Sequence, residues 1–155
     1  VVQRAVDLLT IPRPQIAASP ALDAVQVVRV PVWWWIEPGT WHTRTATASI
    51  PALTITAQAT PTQATWHAGD GTSITCHGPG TPWTPHRDPA AASPTCGHTY
   101  TTASRNHPAG AYPLRAELTW AISWSGGGMN GTLPPINTST TAQVSVVELR
   151  SVVTD

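Results

Sequence analysis

From residue 112 to residue 124 apolar and polar side chains alternate, and only a long, half-buried β-strand suits that period of two. The even positions are Tyr112, Leu114, Ala116, Leu118, Trp120, Ile122 and Trp124, and the odd ones include Arg115, Glu117, Thr119 and Ser123. The even row is expected to face the core. Gly126-Gly127-Gly128 then opens a flexible loop ending near Gly131, and Pro134-Pro135 stiffens the return. Residues 137–147 supply the partner strand, with Val144 and Val146 facing one way.

The rest of the chain is punctuated in the same manner. Val2, Val6 and Leu9 fall at helical spacing, so residues 1–9 read as one short helix. Ile11-Pro12-Arg13-Pro14 stops it, because proline lacks an N–H and pushes the preceding residue to extended geometry. Residues 12–22 read as an extended strap. Residues 24–36 are apolar and β-branched, broken by Pro31, and end in Trp33-Trp34-Trp35 before a turn at Glu37-Pro38-Gly39. In a strand Trp33 and Trp35 share one face and Trp34 takes the other, so one indole of the trio needs a second cover. Strands are expected at 44–50, 53–60 and 65–68, with Pro51 and Pro61 as breaks, and Gly69-Asp70-Gly71 turns the chain into a strand at 72–76. The whole reads as an all-β, immunoglobulin-like antiparallel sandwich. Residues 1–50 form an apolar N-terminal extension, 51–150 the sandwich and 151–155 a tail.

Composition narrows the function. Charged residues are 10% of the chain, the formal net charge is zero, and the basic residues are Arg scattered singly. Nucleic-acid binding needs clustered Lys or Arg and is not expected. No stretch approaches 18 apolar residues, so no membrane span is expected. The chain opens on Val1 and carries no signal-peptide pattern, which reads as the mature or trimmed part of a longer precursor whose signal or anchor lies outside these residues. Cys76 and Cys96 sit in a Gly/Pro/Thr-rich stretch. In an exported protein they pair, closing the loop between them. A metal site at Cys76-His77 and Cys96-Gly97-His98 is the competing reading, but zinc ligands are usually spaced two to four residues apart.

Three segments carry a resemblance. Trp66-His67-Ala68-Gly69-Asp70-Gly71-Thr72 resembles the W-x-F-G-D-G-[ST] signature of PKD (polycystic-kidney-disease repeat) domains. His98-Thr99-Tyr100 resembles their H-x-Y motif, and Gly110-Ala111-Tyr112-Pro113-Leu114 their G-x-Y-x-V. The likeness covers residues 52–147, with Ala68 in place of the usual Phe and a longer insertion at 77–94. With the Trp-rich stretch upstream, the chain looks like uncharacterised secreted or membrane-tethered actinobacterial proteins. The resemblance implies an extracellular spacer, adhesion module or accessory domain, in which Trp66, Gly69, Asp70, Gly71, His98, Tyr100 and Tyr112 are structural.

Asp70, between two glycines, is expected to accept backbone N–H bonds that fix its turn. Calcium needs six to eight oxygens, and only Asp88 is near. His98 is expected to be a hydrogen-bonded structural residue. No nucleophile elbow, zinc-protease helix or other catalytic pattern occurs, so no enzyme, cofactor or metal is expected. Trp33, Trp34, Trp35, Trp41 and Trp83 are the candidate binding residues, since exposed indoles stack on sugars or anchor interfaces. Three functions fit: a non-catalytic protein-interaction or self-associating module at the bacterial surface, a module binding cell-surface polysaccharide, or a subunit of a secreted assembly in which residues 1–36 are donated to the next copy.

Overall fold

A computed structural model describes residues 1–149; residue 150 and the expected tail at 151–155 lie outside the described residues. Helix α1 (Val2–Asp7) precedes strands β1 (Ile16–Ser19), β2 (Gln26–Val27), β3 (Val32–Ile36), β4 (Arg44–Ile50) and β5 (Leu53–His67). There follow β6 (Ser73–Cys76), β7 (Gly97–His98), a single 3₁₀ turn at Pro108–Gly110, β8 (Tyr112–Gly126), β9 (Met129–Val144) and β10 (Val146–Val147).

The alternating segment forms β8, the spine of a large antiparallel sheet ordered β4-β5-β8-β9, with β6 on the flank of β5. Its even residues from Tyr112 to Ile122 are buried, as expected, while Trp124 is only half-buried. Across the core lies a small antiparallel sheet ordered β1-β3-β7. The two meet where Trp34 of β3 stacks on Trp66 of β5, centroids 5.2 Å apart. β2 and β10 form a third, parallel pair.

Two expected loops are strand. Residues 126–135 are not a flexible excursion, because Gly127 and Gly128 both take positive φ and make a two-residue hairpin. That is the backbone whose twist matches the strands it joins. β9 therefore begins at Met129, and Pro134-Pro135 sit inside it as a bulge, two residues facing Ala121 alone between the Trp120–Ile136 and Ile122–Leu133 pairs. Proline is tolerated there because β9 is an edge strand. Likewise Pro61 does not end β5. It pairs with Trp120 next to a second bulge at Thr62, between Ala59, where β4 stops pairing, and Ala64, where β6 begins. The two bulges flank Trp120 from either side and curl the sheet.

The N-terminal extension is woven into the rest. The strap at 12–22 contains β1, which pairs with β3 from Ile16–Ile36 to Ser19–Trp33. Helix α1 packs on β4 and β5, burying Ala5 against Ala48, Ile55 and Ala57. The expected boundary at residue 50 falls inside the β4–β5 hairpin. The segment that an assembly would donate thus has its place within its own chain.

Candidate functional site

The three family-like segments converge. Gly69 has φ of +90°, and a Cβ there would lie 2.8 Å from the Tyr112 Cβ, so the turn seats against the start of β8 only without a side chain. That turn presents Asp70, whose Oδ1 accepts the Thr72 amide at 3.1 Å and the Thr72 hydroxyl. The Asx-type contact is the expected one. Its other oxygen reaches further than expected: His98 Nε2 donates to Oδ2 at 2.8 Å, tying the G-D-G hairpin to β7.

Burial opposes the ionised carboxylate of Asp70. Hydrogen bonds from the Thr72 hydroxyl, His98 and the Thr72 amide, with the charge of His98, outweigh it and hold the pKa below its ordinary value. The His98 ring stacks on Trp34 at 5.5 Å and meets the edge of Tyr100 at 4.7 Å, and Tyr100 stacks on Tyr112 at 5.3 Å. The Tyr100 hydroxyl donates to the Ala68 carbonyl at 2.8 Å, and that of Tyr112 to the carbonyls of Thr102 and Ala103. Burial first, then the Asp70 charge, raises the pKa of both phenols. An aromatic column therefore runs Trp66–Trp34–His98–Tyr100–Tyr112, and Trp34 supplies Trp66 with the aromatic neighbour that Ala68 does not.

Cys76 and Cys96 form the disulfide, with Cα atoms 5.8 Å apart, so neither is a free thiol ligand. Among the described residues no three His, Cys, Asp or Glu side chains gather as a metal site. The loop they close lies over the small sheet. Its carbonyls at Pro79 and Cys96 accept the amides of Ile36 and Trp34, and Trp33 Nε1 donates to Ala91 at 2.8 Å. The Arg87 guanidinium sits 5.0 Å over the Trp33 ring, within cation–π range.

No protein-family model, curated protein or solved structure matches the chain. Geometry alone sorts the tryptophans. Trp33 and Trp34 are 2% and 1% exposed, so neither stands out as an open stacking platform. The expectation of a tryptophan row for binding is corrected there: the core covers Trp34, and the disulfide loop covers Trp33. Trp35, Trp41 and Trp83 are half-buried. Trp83 borders a slot of about 240 Å³ with Trp33, Pro20, Pro31 and Pro89. The two contacts that sequence reasoning missed, Asp70–His98 and Tyr100–Ala68, join residues about thirty positions apart, and the motif resemblance was their one available signal.

Proposed function

We propose that this chain is a non-catalytic, PKD-like sandwich exported to a bacterial surface, where it binds a protein partner. The observation that carries the reading is that the chain itself engages the Asp70 carboxylate, His98 Nε2 and both tyrosine hydroxyls of the cluster. Asp70 accepts from Thr72 and His98, and both tyrosine hydroxyls donate to main-chain carbonyls. A general acid or base needs a proton-bearing atom free to meet substrate. Here those atoms brace three distant segments against one another, as a structural motif does.

A disulfide is a feature of oxidising compartments, and no described helix is long and apolar enough to cross a membrane. The disulfide supports an exported module. The test is binding of fluorescently labelled chain to intact actinobacterial cells before and after surface proteolysis. Saturable binding abolished by proteolysis is expected; absence of binding, or binding that survives proteolysis, refutes the reading.

One observation favours a second reading. The Trp83 slot has the aromatic and apolar lining against which a sugar ring stacks. Affinity electrophoresis through cell-wall polysaccharide would show retardation, lost in Trp83→Ala, if this reading is correct.

A further inference from the structure

β9 is a free edge of the large sheet, and its two halves are built differently. Natural edges are blunted by Lys, inward charges, proline or a bulge. The Pro134-Pro135 bulge does this at the middle of the strand. Beyond it, residues 136–143 read Ile-Asn-Thr-Ser-Thr-Thr-Ala-Gln, with no charge, proline or glycine. Such a segment leaves a row of backbone donors and acceptors with nothing to deter pairing.

An open groove of about 580 Å³ follows that stretch, lined by Asn137, Thr138, Ser139, Thr140 and Thr141 on one side and by Arg13 on the other. Successive strand residues point to opposite faces of a sheet. Five consecutive lining residues therefore place the groove along the flank of β9, not on either face. The opposite wall is anchored: Pro14 is buried, and its carbonyl accepts the Thr140 hydroxyl at 2.6 Å. Arg13, held between Pro12 and Pro14, is exposed and makes no ion pair with any described residue. It is the one charged side chain in the lining.

We propose that this flank is a strand-addition site for an extended segment of a partner protein that places a carboxylate opposite Arg13. The outward-facing N–H and C=O groups of residues 137–141 supply ladder bonds to the added strand. Arg13 selects an acidic side chain through charge-assisted hydrogen bonds, which are shorter and stronger than neutral ones. An added strand of five residues spans roughly 17 Å, in step with the five β9 residues that line the groove. The site rests on the protein-interaction reading above and names the chemistry of the partner.

The full chain is titrated with a capped heptapeptide, Thr-Val-Thr-Asp-Thr-Val-Thr, with its Lys-for-Asp counterpart, and with the Asp peptide N-methylated at alternate residues. Anisotropy reads binding, and amide hydrogen exchange reads its place. The Asp peptide should bind saturably, about tenfold tighter than the Lys peptide, and slow exchange within residues 137–141. N-methylation should abolish binding, since it removes the ladder donors, and Arg13→Glu should reverse the charge preference. The proposal falls if neither peptide saturates, if the N-methylated peptide binds equally well, or if Arg13→Glu leaves the preference unchanged. It falls equally if the chain dimerises in sedimentation velocity with the same amides slowed and no peptide bound, which assigns the edge to a second copy. Protease-sensitive binding to cells without peptide binding removes this site and leaves the interaction reading standing.

Discussion

Replacing both Cys76 and Cys96 by Ser tests how the disulfide loop is held. The two are 20 positions apart. In the chain-entropy model a loop of that length restricts the unfolded chain by about 11 cal/mol/K, or about 3 kcal/mol at 25 °C. The folded loop has attachments of its own: the Trp33–Ala91 bond, Arg87 over Trp33, the Thr81–Thr95 hydroxyl pair at 2.7 Å, and main-chain bonds from Trp34 and Ile36. The native state should therefore persist in the variant, and the loss should arise almost wholly from the unfolded state. Urea unfolding under non-reducing conditions should show a fall of about 3 kcal/mol with a larger m-value, because the unlinked chain exposes more surface. For a chain of this size that corresponds to roughly 6–12 °C in Tm. A loss below about 1 kcal/mol with an unchanged m-value refutes the reasoning. So does a loss above about 5 kcal/mol with altered near-ultraviolet dichroism, which would mean that the loop leaves the small sheet.

Tyr100→Phe strips the donor from a buried carbonyl at Ala68 and should cost about 1–3 kcal/mol in urea unfolding; a cost indistinguishable from zero would mean that water reaches that carbonyl. Ala52 holds φ of +69° in the β4–β5 turn, so Ala52→Gly should stabilise by up to about 1 kcal/mol, and any destabilisation contradicts the left-handed conformation. The depressed pKa of Asp70 fixes the sign of one pH effect: its contribution is complete above the ordinary value of 3.8 and is lost as pH falls through the lower folded value. Thermal melts between pH 2 and 6 should accordingly show an acid-side slope that is shallower in Asp70→Asn; an unchanged slope removes Asp70 as its source.

How far the chain could be read from its sequence depends on how far each contact reaches. β8 was legible because alternation is local, and the G-D-G hairpin because glycine and aspartate make turns by their own stereochemistry. β9 was half legible. Gly131 and Pro134-Pro135 read as loop, and only the edge position with its bulge makes them strand. The same holds for Pro61, whose missing donor is harmless only because β4 has left and β6 has not yet arrived. The disulfide was readable from two cysteines in a loop-rich stretch. That its loop returns over Trp33 through Arg87 and Ala91 was not, since those contacts join residues more than fifty positions apart.

That return changes what the surplus tryptophan means. A strand with Trp33, Trp34 and Trp35 in series exposes an indole on each face, and a single sheet-on-sheet core can hide only one face. The large sheet takes Trp34 through Trp66, and the His98–Tyr100 column closes the same face. The other face receives Trp33, and the disulfide-closed loop acts as a third layer over it. The buried Trp33 and Trp34 are then a consequence of covering both faces of β3, not a row offered to a ligand. The proposed recognition then has two surfaces to draw on: the half-buried Trp83 of the loop, and the uncharged second half of β9 beside Arg13. The second has unpaired backbone groups, a groove and a cation. That combination suits a partner strand better than it suits a sugar, which would need a ring face to stack upon.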